Sequence, residues 1–242
     1  MIEIEVCCGS VEDVEIASQF PLASIELNSA LSLGGLTPSL STLVLSKERT
    51  DIPIITMVRA RPGNFTYSPL EIETMYSDAS LLLDNGADGI AFGFVTEDYQ
   101  LDEYHTKVFT KLAHSRGRTA VFHRAFDCLV NPMEALVKLH ELGVDRLLSS
   151  GQHLSAITGI AQLKKYQALE LIKLVAGAGI TPANYQTIVQ ETGITYLHGS
   201  FSEPIINKPS PTEVSFESPL SRTSEAQLST IFRKIEKKST FD

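Results

Sequence analysis

The sequence predicts one α/β domain, a (β/α)8 barrel of the TIM type, from three observations. Short apolar runs recur along the chain, and each is followed by a polar or glycine-rich turn and then a helical pattern. The runs mix Val, Ile and Leu without clean alternation, which indicates strands buried on both faces, as in a parallel sheet. The length of 242 residues is close to the about 250 that eight βα units occupy. An open doubly wound sheet is the main alternative.

Eight runs fit the strand pattern. Gly86, Gly143 and Gly193 each follow a helical stretch and lead into a strand, and glycine at this place accepts the left-handed turn that ends many helices. Their spacings, 143−86 = 57 and 193−143 = 50 residues, each accommodate two βα units. The predicted strands are 2–7, 24–28, 53–58, 89–94, 119–122, 146–149, 171–176 and 195–198.

Four sequence signals mark helix starts. Ser10 precedes Asp13 by three residues, a capping spacing, and the segment 68–71 (Ser-Pro-Leu-Glu) combines a cap, a proline in the first turn and an acid. The pair Thr181-Pro182 repeats the cap and the proline, and the segment 131–134 (Asn-Pro-Met-Glu) repeats the whole pattern. We therefore expect helices to begin at these places.

The pattern fades after residue 201. Residues 202–224 are rich in Ser, Pro and Thr without a helical or strand period, so we expect a partly mobile loop. Residues 226–238 predict an amphipathic last helix whose basic end complements the helix dipole. The expected organisation is a barrel over 1–201, with the loop and final helix of 202–242 packed on it.

Composition narrows the function classes. A net charge of −9 argues against a nucleic-acid partner held by a broad basic face, although it allows a small cationic pocket. No apolar run reaches the roughly 20 residues of a membrane span. The acidic start of the chain begins a strand pattern and does not resemble a signal peptide, so we expect a cytoplasmic protein. Three cysteines without a Cys-x-x-Cys pair do not make a disulfide framework.

Candidate functional residues follow from the barrel, because the carboxyl ends of its strands meet at one mouth. The densest group follows a strand that ends at Phe122: His123, Arg124 and Asp127 offer a base, a fixed cation and a carboxylate. Alternatively, Arg124 and Asp127 only pair and cap the turn. The other strand ends contribute Glu5, Cys7, Glu26, Asn28, Arg59, Arg61, Ser149, Ser150, Gln152, Gly177, Gly179 and His198.

The two arginines after the third strand suggest a binding pocket. Arg59 and Arg61 alternate, so we expect their side chains to share a face. Two guanidinium groups in one pocket are expensive unless an anion or carboxylates neutralise them. Glu5, Glu26 and Asp127 are the candidate carboxylates, so an internal salt-bridge network and substrate binding both stay open.

Glycines and histidines allow further alternatives. The loops 177–179 and 198–200 follow the last two strands, where barrels often bind phosphate through backbone N–H groups, but their glycines could simply serve tight turns. His123 and His198 could act as general acid or base, because an unperturbed imidazole titrates near neutral pH. Either could equally be a hydrogen-bonded core residue.

Metal binding would depend on one cysteine. Cys7 and Cys8 alternate along a strand, so only one of them faces the barrel axis. Because Cu(I) prefers thiolate and thioether ligands, one inward cysteine with a His or Met could hold copper weakly. The alternative is a small buried apolar cysteine.

Taken together, eight segments between about residues 3 and 200 resemble the CutC family, usually called copper homeostasis proteins. The resemblance implies a cytoplasmic TIM-type barrel that forms homo-oligomers, commonly dimers, and a copper-linked function with Cys7 as the copper ligand. The segments are Glu5-Val6-Cys7, Glu26-Leu27, Gly34-Gly35-Leu36-Thr37-Pro38-Ser39, Arg59-Ala60-Arg61, Phe65-Thr66-Tyr67-Ser68, Phe122-His123-Arg124-Ala125-Phe126-Asp127, Ser149-Ser150-Gly151-Gln152 and Ala176-Gly177-Ala178-Gly179-Ile180.

The chain departs from the family pattern at the mouth. Asn28 stands where many members have a cysteine proposed for copper, and an amide is a poor Cu(I) ligand. Asn64 replaces an acid that could have partnered the arginines, and His198 is followed by Gly199 where Ser or Cys is frequent.

Two functions are therefore expected. The first is a cytoplasmic Cu(I)-binding or Cu(I)-handling protein that uses Cys7. The second is an enzyme of unknown reaction in which arginines hold a small phosphate- or carboxylate-bearing substrate, a histidine moves a proton and carboxylates orient the substrate or share the acid–base work. Its residues are His123, Asp127, Glu5 and Glu26 for catalysis, and Arg59, Arg61, Arg124, Ser150, Gln152, Gly177, Gly179 and His198 for substrate binding.

Overall fold

The computed structural model describes residues 1–206 and 220–239. Eight parallel strands form a closed barrel in chain order, and the last strand pairs with the first. The barrel is thus confirmed and the open sheet is not. The strands are β1 (Glu3–Cys8), β2 (Ser24–Leu27), β3 (Ile54–Met57), β4 (Gly89–Phe92), β5 (Thr119–Phe122), β6 (Arg146–Ser149), β7 (Lys173–Ala176) and β8 (Tyr196–Gly199).

A helix follows each strand around the outside of the barrel, the last one after an inserted hairpin. Short 3-10 helices cover Leu31–Leu33 and Arg124–Cys128. No helix in the described ranges has both the length and the apolar character that crossing a membrane requires. The α-helices are α1 (Val11–Ala17), α2 (Leu40–Lys47), α3 (Pro69–Asp84), α4 (Glu103–His114), α5 (Pro132–Glu141), α6 (Ile160–Gln167), α7 (Tyr185–Thr192) and α8 (Glu225–Ser239).

The inside of the barrel is partly polar. Two small apolar clusters lie there, Ile55 with Ala91 and Val121, and Leu148 with Val175 and Tyr196. The main core lies between strands and helices, and the aromatic rings of Phe92, Phe109 and Phe122 pack within it. Because the apolar clusters inside the barrel are small, charged groups can reach its axis from the strands.

Part of the expected C-terminal loop is instead a hairpin. Strands β9 (Ser202–Ile205) and β10 (Leu220–Thr223) pair antiparallel, so the expectation of a loop is wrong for these residues. Positions 207–219 lie outside the described residues. Two polar contacts stabilise the pairing: an Arg222–Glu203 ion pair at 2.9 Å, and a 2.6 Å hydrogen bond that the Thr223 N–H donates to Asp13 of α1. Because polar contacts hold these strands, their sequence lacks the alternating apolar pattern by which a strand is predicted.

Helix α8 packs against the barrel helices. Leu228 and Ile231 are fully buried in the main core, and Phe232 stacks on Phe20 with ring centroids 5.7 Å apart. Lys234 donates a 2.6 Å hydrogen bond to the carbonyl of Pro182. The helix extends one residue beyond each end of the predicted range, because Glu225 and Ser239 are also helical.

Two of the four helix starts are correct in detail. Ser10 caps α1, and Ser68 forms a complete capping box with Glu71 at the start of α3. Asn131 stands at the predicted place, but its side chain does not cap α5. The start predicted at Thr181 is wrong, because α7 begins only at Tyr185. The Thr181 N–H instead donates a hydrogen bond to the side-chain oxygen of Asn184, just before the helix.

The capping box predicts a stability change. Replacing Ser68 with Ala removes the acceptor for the Glu71 N–H and should lower the free energy of unfolding by about 1 kcal/mol in urea denaturation. The matched control is Ser77→Ala on the exposed face of the same helix, where alanine is the better helix former and no loss is expected. Equal effects of the two changes would contradict the role of the cap.

Candidate functional site at the barrel mouth

A cavity of about 370 Å³ opens at the carboxyl ends of the strands. Its wall contains eight of the strand-end residues that the sequence indicated, together with Met57 and several leucines that it did not indicate. The eight are Cys7, Glu26, Asn28, Arg59, His123, Arg124, Gly179 and His198.

One side of the cavity is a buried cluster of two carboxylates and a histidine. Glu5 lies opposite His198 in the β1–β8 register, and its carboxylate is 2.9 Å from His198 Nδ1. The other ring nitrogen, Nε2, is 3.9 Å from Glu26. One ligand atom from each of these residues lies within 4.8 Å of the others, so the cluster could hold a cation. Cys7 lies opposite Glu26 in the β1–β2 register and reaches the same cavity.

These groups set one another's protonation. Burial opposes a charge on His198, but the charge of Glu26 and hydrogen bonds to Cys7 and Glu5 raise the pKa of His198 well above its ordinary value. Burial raises the pKa of Glu26, an effect that His198 only partly offsets. For Glu5, His198 with Ser24 and Arg146 outweighs burial and lowers the pKa. His198 is therefore the proton-carrying group of this site.

His123 on the opposite side has the reverse character. Burial, with the nearby charges of Arg59 and Arg124, lowers the pKa of His123 to about 3. Its Nδ1 accepts a hydrogen bond from the Ala125 N–H at 3.2 Å, so the single ring proton is on Nε2. A neutral imidazole of this kind donates a hydrogen bond through its Nε2–H and is not a cation at neutral pH. Its surroundings therefore favour a hydrogen-bond donor, and the proton-moving role expected for His123 stays a prediction.

Arg59 is fixed by main-chain groups. Its Nη1 donates to the carbonyls of Leu33, Gly34 and Gly35 at 3.2–3.3 Å, and its Nη2 donates to Gly63 at 2.8 Å. No carboxylate lies within ion-pair distance of it in the described part of the chain. Arg59 therefore both ties two mouth loops together and brings an unneutralised charge to the cavity.

Arg61 points away from the cavity. Its Nε is 2.5 Å from Glu71 of α3, and its Nη2 donates to Thr66 at 2.6 Å. The expectation that Arg59 and Arg61 share a pocket with Glu5, Glu26 or Asp127 as partners is wrong. Strand β3 ends at Met57, so strand alternation does not extend to these two residues.

Asp127 organises the loop that carries Arg124. Its carboxylate is 2.9 Å from Arg124 Nε and accepts from Ser149 Oγ, Ser150 N–H and Gln152 N–H at 2.6–3.1 Å. The alternative in which Arg124 and Asp127 pair within the turn is thus correct, and Arg124 still lines the cavity. Ser150, Gln152 and Asp127 support the wall without forming it.

Gly177 and Gly93 lie close to residues of the cavity wall. A β-carbon at Gly177 would lie 2.5 Å from Leu148 Cδ1 and at an ordinary contact distance, 3.5 Å, from the His198 side chain, and Gly177 itself does not line the cavity. A β-carbon at Gly93 would lie only 2.5 Å from the His123 ring, so only glycine fits there. Sequence reasoning missed Gly93, although it interrupts an apolar strand run, which was an available signal.

The cysteines have three different environments. Cys7 is half-buried at the cavity wall, Cys8 is fully buried in the outer core near Thr223, and Cys128 lies in a separate surface pocket. Of the three, only Cys7 lines the cavity that His198 and Met57 also line. Asn28 also lines the cavity and donates to Glu26 at 2.9 Å, and its buried Oδ1 has no partner among the described residues.

The His198 network predicts a pH-dependent stability. His198→Gln should lower the free energy of unfolding by about 3 kcal/mol at about pH 6, because it strands two buried carboxylates. Because the pKa of His198 is raised in the folded protein, its protonation stabilises the fold fully below the ordinary pKa of 6.5, and this stabilisation is lost as the pH rises through the raised pKa. The lowered pKa of Glu5 adds stability above pH 4.5. The stability lost in His198→Gln should therefore be greatest between pH 4.5 and 6.5 and should shrink at alkaline pH.

Urea denaturation of both proteins across this pH range measures the difference. The matched control is His140→Gln on the exposed face of α5, for which a small and constant difference is expected. A His198→Gln difference that grew towards alkaline pH would contradict the assigned charge.

Comparison with known proteins shows the family to which the chain belongs. The CutC family model matches residues 2–203. A family protein CutC from Treponema denticola is 44% identical over 200 residues, which are 81% of this chain and 80% of that protein. The copper homeostasis protein cutC homolog of Homo sapiens is 41% identical over 199 residues, 81% of this chain and 72% of that one.

Solved structures extend the comparison. The crystal structure of a CutC protein from Streptococcus agalactiae superposes with a TM-score of 0.77 at 29% identity, covering 83% of this chain and 99% of that one. Thiamine phosphate pyrophosphorylase from Pyrococcus furiosus, at 15% identity and a TM-score of 0.59, covers 98% of this chain and 96% of its own, and shares the fold alone. Because the family model spans most of the sequence and the relatives align over four fifths of it, this chain belongs to the CutC family.

Proposed function

We propose that this protein binds and handles Cu(I) as cargo at the barrel mouth, with Cys7 as the principal ligand. The observation that carries the proposal is the position of the Cys7 side chain, which is half-buried in the cavity wall in contact with His198; Met57 lines the same cavity. A thiolate, a thioether and an imidazole are ligands that Cu(I) accepts, and His198 would release its Nε2 proton on binding the ion. The names of the relatives, which refer to copper homeostasis, support the same assignment.

The surroundings of Cys7 favour a cation. Glu26 and Glu5 are buried next to His198, and once His198 has released its extra proton their negative charge favours a metal ion on this side of the cavity. Carboxylates are poor partners for Cu(I) itself, so their contribution is attraction and orientation of His198. All three cysteines are free thiols, a state that the reducing cytoplasm maintains, and we place the function there.

Titration of the reduced, metal-free protein with Cu(I) against a competing chelator tests this assignment. We expect one-to-one binding that Cys7→Ser weakens by at least about tenfold, or 1.4 kcal/mol, because oxygen is a poor replacement for sulfur. The matched control is Cys128→Ser, the same change in a separate pocket, which should leave the affinity unchanged. Weak binding that does not depend on Cys7 would refute the copper function.

Position 28 offers a gain-of-function test. Asn28→Cys introduces a second thiol on the wall of the same cavity and should raise the Cu(I) affinity in the same competition assay. Asn28→Ser is the control, because it also removes the amide bond to Glu26 but adds no sulfur ligand. If both variants changed the affinity equally, sulfur ligation at this mouth would be contradicted.

A further inference from the structure

We propose that the cavity wall formed by Arg59, His123 and Phe65, with Arg124 at its rim, binds the carboxylate or phosphate group of a small organic anion. This site lies on the strand 3 and strand 5 side of the mouth, whereas copper is proposed on the strand 1 and strand 8 side. It goes beyond copper binding and requires no metal.

The first argument is the charge of Arg59. This side chain is only 5% exposed, and burying a cation is costly unless an opposite charge compensates it. The four carbonyls that bind its terminal nitrogens supply hydrogen bonds without supplying a negative charge. Its Nε–H has no partner among the described residues. An anion in the cavity would neutralise this charge.

The second argument is the unused donor of His123. The residue is 3% exposed, and its Nε2–H has no acceptor within the described ranges. A buried donor without a partner costs about 1–3 kcal/mol, so a ligand oxygen at this place would recover that energy. Because the ring is neutral and its tautomer is fixed by Ala125, the donor is available without any change of protonation.

The third argument is that these groups are neighbours. The Phe65 ring lies 4.8 Å from the Arg59 guanidinium carbon and 5.0 Å from the centre of the His123 ring. Phe65 is half-buried and lines the cavity, and because both donor atoms are covered, binding of a ligand oxygen to them requires the Phe65 ring to move. The Arg124 side chain is 41% exposed and places a second cation at the rim. Its Nε donates a hydrogen bond to Asp127, and its Nη2 donates one to Ser150.

The rest of the cavity indicates the body of the ligand. Leu31, Leu33 and Leu148 contribute apolar surface to its lining. A volume of about 370 Å³ lies in the range of small-molecule sites. A compact organic acid with a short apolar body fits such a pocket, with its oxyanion against Arg59 and His123.

Nuclear magnetic resonance of the full-length, metal-free protein labelled with ¹⁵N-histidine tests the proposal without a mutation. Butyrate and inorganic phosphate serve as carboxylate and phosphate probes, and sodium chloride controls for ionic strength. We expect the His123 Nε2–H signal to move saturably with at least one probe and not with chloride. The probe that saturates at the lower concentration identifies the oxyanion. A signal that neither probe moves more than chloride does would overturn the proposal.

Variants then locate the site by calorimetric titration with the better probe. Arg124→Gln and His123→Phe should each weaken binding by tenfold or more, while Arg61→Gln, the loss of an arginine outside the cavity, should not. Arg59→Met is unsuitable alone, because Arg59 also holds two loops. These titrations use the metal-free protein, so their outcome is independent of the copper proposal. Probe binding that survived both Arg124→Gln and His123→Phe would refute the proposed anion site.

Discussion

One buried carboxylate, Glu5, connects the two ends of the barrel interior. Towards the beginnings of the strands it bonds Ser24 and lies 3.4 Å from Arg146, and towards the mouth it bonds His198 Nδ1 at 2.9 Å. The parallel register places both neighbours beside it, Ser24 on β2 and His198 on β8. Because Nδ1 is held by Glu5, Nε2 must face the cavity and Glu26. The orientation of the mouth histidine thus depends on a charge network anchored at the other end of the barrel.

The cavity contains two histidines in opposite states. His198 lies among carboxylates that keep it protonated, whereas burial, together with the charges of Arg59 and Arg124, keeps His123 neutral. The same type of side chain is therefore a cation paired with carboxylates on one wall and a neutral hydrogen-bond donor on the other. A pocket with an acidic and thiol side and a cationic side can accommodate a metal ion and an organic anion without competition for the same ligands.

The sequence predicted what depends on local pattern and missed what depends on distant neighbours. The eight strands and the Ser68 cap follow from apolar runs and capping residues within a few positions. The direction of Arg61 could not be predicted, since it requires knowing that β3 ends four residues earlier, at Met57. The β9–β10 hairpin depends on an ion pair between residues 19 positions apart, Arg222 and Glu203. The charge state of His123 likewise depends on burial and on Arg59, which is 64 positions away in the sequence (123−59).

The clamp made by Arg59 has an evolutionary consequence. Its four acceptors are backbone carbonyls, so at Leu33 the clamp does not depend on which side chain the residue carries. The other three clamped residues are constrained to glycine, because Gly34, Gly35 and Gly63 have positive φ angles of 88°, 82° and 97°. Leu33 is clamped only through its carbonyl, and its side chain lines the cavity. Other residue types can therefore replace Leu33 without loss of the clamp. Ligand preference can therefore diverge between descendants at this position while the architecture of the mouth is inherited unchanged.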